Sequence, residues 1–191
     1  RYQIGEVFRD GPLKTGRYRE FMQCDVDIVG VKSMAADAEL IELTAEVFRK
    51  LGIAVQIKIN SRKILDAILE MLEVPESDKE KFILSLDKLE KIGAAGVRED
   101  LKSRGVKNSD AMTLFLSTAR VGSSSDLCLY IKEVFAKRNK KFEGTVFKEG
   151  FKEMEEIFGY LEDTDIKNVA FSGTLARGLS YYTGTVFEVF L

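Results

Sequence analysis

Arg17-Tyr18-Arg19-Glu20-Phe21-Met22-Gln23-Cys24-Asp25-Val26-Asp27-Ile28 is the stretch that sets the architecture. Met22, Cys24, Val26 and Ile28 occupy the even positions, while Arg17, Arg19, Gln23, Asp25 and Asp27 occupy the odd ones. A side-chain period of two predicts a strand over 18–29 with its even face in a core and its odd face polar. Upstream, residues 2–9 read as a partner strand. The connection Asp10-Gly11-Pro12-Leu13-Lys14-Thr15-Gly16 is rich in turn formers. Two readings of the polar face stay open on alternation alone: a water-facing side of an antiparallel sheet, or a row of binding groups.

Downstream, Leu40, Leu43, Val47 and Leu51 recur at helical spacing, with Ile41 and Phe48 beside them, and predict a helix over 35–51 stopped by Gly52. Val55, Ile57 and Ile59 alternate with Gln56, Lys58 and Asn60, a strand read as scaffold. From Ser61 to about Asp163 the periodicity is helical. Ser77-Asp78-Lys79-Glu80 has the form of a capping box, and further helices are expected over 97–104, 109–120, 125–138 and 146–161. Strand character returns at Asn168–Phe171 and from about Leu179 to Leu191. The order predicts an α+β fold: an antiparallel sheet flanked by helices and interrupted by a mostly helical insertion. The expected division is 1–60 core, 61–163 insertion and 164–191 core.

Composition narrows the chemistry. The 191 residues are 45% hydrophobic and carry a net charge of -2, so nucleic-acid contact has to come from local basic patches such as Lys137-Arg138-Asn139-Lys140-Lys141. Such a run is ordinarily a solvated loop, and phosphate contact is the second reading. No histidine is present, which removes imidazole acid–base chemistry and His-ligated metals. Cys24 and Cys128 lack metal-ligand spacing and are expected to be reduced and buried in a cytoplasmic protein. No apolar run approaches the ~20 residues needed to span a bilayer. The chain opens on Arg1-Tyr2-Gln3-Ile4 and closes on the apolar Val186–Leu191, which reads as an excerpt of a longer chain.

The stretch Phe8-Arg9-Asp10 through Gly16-Arg17-Tyr18-Arg19-Glu20-Phe21-Met22-Gln23-Cys24-Asp25-Val26-Asp27 resembles motif 2 of histidyl-tRNA synthetases, a strand–loop–strand of the class II active site. Leu175-Ala176-Arg177-Gly178-Leu179-Ser180-Tyr181-Tyr182-Thr183-Gly184 resembles that family's histidine-binding signature. The resemblance implies a class II synthetase-type sheet and ATP-dependent activation of histidine, followed by transfer to its tRNA. It also implies Mg²⁺ with ATP and a homodimeric parent, with no resident metal among the site residues.

By the same resemblance Arg9 lies on the ATP α-phosphate and Arg17 binds ATP. Gln23, Asp27, Tyr181 and Tyr182 bind histidine, with Asp25 behind them. Arg177 touches histidine and stabilises negative charge at the α-phosphate. Fixed guanidinium groups suit that last task because they fork onto phosphate and need no proton transfer. Adjacent strand residues point to opposite faces, so one of the two tyrosines is expected to contact the ring closely.

Two departures stand out: Gly11 where the family usually carries Glu, and Ser180 where it usually carries Asp. Motif 1, motif 3 and an anticodon-binding domain are expected outside these residues. The alternatives are non-catalytic relatives, either the regulatory subunit of ATP phosphoribosyltransferase or a tRNA-sensing pseudo-synthetase domain. Arg9, Gln23, Asp27 and Arg177 argue for the catalytic reading.

Overall fold

A computed structural model describes residues 1–11, 13, 15–106, 113, 115, 116, 121, 122, 124–138, 145–178 and 181–191. The hairpin forms where alternation places it, as β1 (Tyr2–Phe8) and β2 (Glu20–Val26). They pair antiparallel from Tyr2 opposite Val26 to Phe8 opposite Glu20. Helix α1 spans Ala35–Lys50. It ends as Gly52 predicts: Gly52 sits at φ 70°, its N–H donates to the Arg49 carbonyl, and Ile53 N–H reaches back to Phe48. That pair of bonds closes the helix through a left-handed residue, a conformation glycine adopts without steric cost.

Strand β3 (Gln56–Ser61) leads into α2 (Arg62–Met71), α3 (Glu76–Leu86) and α4 (Leu89–Ser103). The short β4 (Val121–Gly122), α5 (Ser124–Arg138), α6 (Thr145–Glu162), β5 (Val169–Ser172) and β6 (Thr185–Phe190) complete the described elements. The second sheet has the order β4-β5-β3-β6. Its β3–β6 and β4–β5 ladders are antiparallel, and its β3–β5 ladder is parallel. The helices between β3 and β5 supply the long return that a parallel pair requires. The α+β expectation, antiparallel pairing flanked by helices, therefore holds, with one parallel ladder added.

The core gathers Ile57 and Ile59 of β3 and the apolar faces of α2, α3 and α6, with Ile64, Ile68, Phe82, Met154 and Ile157 among its buried members. Burying such side chains supplies roughly 1.5–3 kcal/mol each relative to exposure.

Several local expectations change. The buried stripe of α1 is Ala38, Ile41 and Ala45, while Leu43, Val47 and Leu51 are exposed. The helix turns its small residues toward α6, its main helical neighbour. Ser77 does not cap α3, because Pro75 precedes the first helical residue and the Asp78 N–H donates to the Pro75 carbonyl. Helix α4 begins at Leu89 and bends at Gly93, which takes a non-helical φ of 67°. The last strand begins at Thr185, so Tyr181 and Tyr182 precede it. The helix expected over 109–120 is described only at Thr113, Phe115 and Leu116, which are helical.

The even face of β2 does not enter a core. Met22 is 61% exposed, and Cys24 is an exposed free thiol. The hairpin pairs with itself as a two-stranded sheet, and among the described residues no layer covers its apolar side. The side chain of Cys128 lies outside the described residues.

Candidate active site

Two arginines separated by most of the chain reach one cavity. Arg17, ahead of β2, and Arg177, between β5 and β6, both line a space of about 430 Å³. Strand alternation builds its floor. Ile57 and Ile59 point into the core and are fully buried, so Lys58 and Asn60 point to the opposite face. Lys58 stands opposite Glu188 in the β3–β6 ladder. Lys58 and Glu188 both border the cavity, as do Asp87 and Glu90 from the α3–α4 corner.

Four of the charges there form two ion pairs. Arg177 Nη1 donates to Glu188 Oε1 at 3.0 Å, and Lys58 Nζ meets Glu90 Oε1 at 2.7 Å. Lys58 Nζ also lies 3.9 Å from the centre of the Phe190 ring. The rings of Tyr181 and Tyr182 lie 4.8 Å apart, so the two tyrosines form one aromatic pair instead of taking opposite strand faces. Hydrogen bonding to Tyr182 pushes the Tyr181 hydroxyl above its ordinary pKa, and the nearby positive charge of Arg177 opposes that rise. Arg177 is thus the residue common to the cavity and the tyrosine pair.

The remaining expected site residues lie on the hairpin. The Arg9 N–H donates to the Arg19 carbonyl at 2.8 Å. Its Nε donates to the Tyr18 carbonyl at 3.0 Å, and its guanidinium lies 4.4 Å from the Phe21 ring centre. Gln23 Nε2 donates to Asp25 Oδ1 at 2.7 Å, so Asp25 holds the amide that the polar row presents. Asp27 accepts from Arg1 Nε at 3.1 Å and faces a larger space of about 1230 Å³ between the hairpin end and α1. Arg9 and Gln23 border neither cavity.

Lys58 and Asn60 are site neighbours on the strand read from sequence as scaffold, and Glu188 lies on the final strand without having been singled out. A signal was present in Asn60, since asparagine is depleted in strand interiors. Among the described residues no three acidic or cysteine side chains cluster as metal ligands, and Glu90 and Glu188 are taken up by Lys58 and Arg177. Lys137 and Arg138 end α5 with side chains outside the described residues, and residues 139–141 of that basic run lie outside them altogether. Among the described residues no helix is long and apolar enough to cross a membrane.

The architecture is that of a class II synthetase core. A histidyl-tRNA synthetase crystal structure from Nostoc sp. superposes with a TM-score of 0.79 at 32% identity, covering 99% of this chain and 43% of that one. A structure described as an ATP phosphoribosyltransferase regulatory subunit/histidyl-tRNA synthetase from Bacillus halodurans shares the fold, with a TM-score of 0.72 at 24% identity. The histidyl-tRNA synthetase family model matches residues 2–191, and the chain belongs to that family. Histidine–tRNA ligase 1 of Bacillus cereus is 44% identical over the whole chain, and the ligase of Clostridium tetani is 38% identical. The chain spans 42% and 43% of those relatives' lengths.

Proposed function

We propose that this chain supplies part of an active site that activates histidine with ATP and passes it to histidine tRNA. A histidine carboxylate oxygen bonds to the α-phosphorus as the bond to the β-phosphate oxygen breaks. Histidyl-adenylate forms and pyrophosphate leaves. The 2′- or 3′-hydroxyl oxygen of the tRNA's terminal ribose then bonds to the acyl carbon as the bond to the AMP phosphate oxygen breaks, and the hydroxyl proton passes to that departing phosphate. Arg9 and Arg177 offset charge on the α-phosphate, and Arg17 holds ATP. Gln23, Asp27, Tyr181 and Tyr182 receive histidine together with Arg177. Positioned cations act most strongly where charge develops in the transition state, and none of these groups has to move a proton. Mg²⁺ enters with the ATP phosphates as part of the substrate.

The supporting observation is the convergence of Arg17 and Arg177 on one cavity beside the tyrosine pair. The reading includes residues 1–60 and 164–191 as catalytic core and 61–163 as an insertion, within a cytoplasmic homodimer. The test uses the whole protein that carries this chain. Arg177→Ala should lower histidine-dependent ATP–pyrophosphate exchange by about 100- to 1,000-fold, the scale for losing one preorganised charge-stabilising group. Unchanged exchange refutes the role. The Bacillus halodurans likeness keeps a regulatory, non-catalytic reading in play. Histidine binding by the unaltered protein without any exchange would favour it.

A further inference from the structure

Arg177 is held at both ends, and the residues that hold it lie on neighbouring strands. Asn60 of β3 is 1% exposed. Its Nδ2 donates to the Leu175 carbonyl at 2.8 Å and approaches the Gly173 carbonyl at 3.4 Å. Its Oδ1 accepts the Ser61 N–H at 2.8 Å. A buried amide satisfied on both its oxygen and its nitrogen fixes what it touches, because breaking these bonds leaves polar groups stranded away from water. What it touches is the backbone two residues before Arg177. Leu175 and Ala176 are themselves buried, and the Leu175 N–H closes a turn onto the Ser172 carbonyl. Just after Arg177, a Cβ on Gly178 would come within 2.9 Å of Leu84 Cδ2, so the backbone is pressed against α3. At the other end of the side chain, Glu188 of β6 accepts from the guanidinium at 3.0 Å.

We propose that Asn60 and Glu188 are positioning residues for Arg177: Asn60 fixes the backbone that carries it, and Glu188 fixes the plane of its guanidinium toward the cavity. This rests on the reading that Arg177 acts at the α-phosphate. Asn60 is buried and does not line the cavity, and Glu188 at its edge is bound to the Arg177 guanidinium, so both act through Arg177 on adenylate formation and leave substrate recognition by the hairpin in place.

The test is a set of variants of the whole protein, followed by single-turnover adenylate formation with ATP and histidine. Asn60→Asp removes the amide donors with little change in volume, and Glu188→Gln keeps the shape but removes the charge. Each is expected to slow the chemical step by about 10- to 100-fold, the cost of a small misplacement, and to raise the Michaelis constant for histidine by no more than Arg177→Ala does. Added to Arg177→Ala, neither should slow the reaction further, because the group it positions is gone.

Slowing that multiplies in the double variants overturns the proposal, since it reveals a general structural effect. Loss of activity in Arg177→Ala with full activity in both positioning variants also overturns it and leaves the Arg177 role standing. Full activity in Arg177→Ala removes that role and the proposal with it. Should Asn60→Asp lower the melting temperature sharply, Glu188→Gln, on a partly exposed strand, carries the same test.

Discussion

At the scale of single residues, Asp100 shows how much a side chain can organise away from any cavity. Its carboxylate accepts from Lys88 Nζ at 2.8 Å, from the buried Ser85 hydroxyl at 2.7 Å and from Arg104 Nε at 2.8 Å. These bonds, led by Lys88, hold its pKa well below the usual carboxylate range. Asp100→Asn should destabilise the chain by about 1.5–3 kcal/mol, measurable by urea denaturation at neutral pH. Because the folded pKa is depressed, the contribution is complete above about pH 4, the unfolded value, and drains away as pH falls through the lower folded one. The difference between parent and variant should therefore shrink in acid. A difference that grew below pH 4 would exclude this linkage. The site residues divide along a similar line. Arg17 and Arg177 were legible because each sits in a motif. Asn60 was not, because its value lies in carbonyls more than a hundred positions away.

Elements come next, and their seams turn on close approach. Helices α2 and α6 meet at Gly150, where a Cβ would fall 2.9 Å from Lys63 Cβ and 3.1 Å from Ile64 Cγ1. Beside that contact, Lys63 Nζ bridges Glu149 at 2.8 Å and Glu153 at 2.6 Å. Burial pulls the ammonium pKa down, yet the hydrogen bonds to both carboxylates outweigh it and leave the pKa raised. Gly150→Ala should push the helices apart and cost about 1–3 kcal/mol, despite alanine's better helix propensity. A calorimetric melting temperature equal to or above the parent's would show that the seam yields freely. Helix existence was readable from periodicity, whereas the buried stripe of α1 was not. Leucine spacing fits two adjacent faces of α1, and contact with α6 selects the one bearing Ala38, Ile41 and Ala45.

For the whole molecule, the two sheets have different standing. Strand β3 is paired on both sides and buries Ile57 and Ile59 completely, while the β1–β2 hairpin leaves Tyr2, Ile4, Met22 and Val26 exposed. Opening free energy follows buried apolar contact. In hydrogen-exchange mass spectrometry of the 191-residue chain, amides of 2–8 and 20–26 should exchange well before those of 56–61. Equal protection would mean that the hairpin is packed against something in solution. Strand alternation on β2 gave its two faces correctly and misjudged the destination of one, since period two reveals sidedness and not what covers a side.

Taken alone, the sequence determined local conformation and chemical inventory. Alternation made the strands, a left-handed glycine ended α1, and the absence of histidine restricted the site to guanidinium, ammonium, carboxylate, amide and phenol groups. These follow from neighbours along the chain. The tertiary structure decided the parallel β3–β5 ladder, the shared cavity of Arg17 and Arg177, the tilted tyrosine pair and the hold of Asn60 and Glu188 on Arg177. Each depends on packing between segments far apart in sequence, where burial and hydrogen-bond satisfaction, not periodicity, choose the partner.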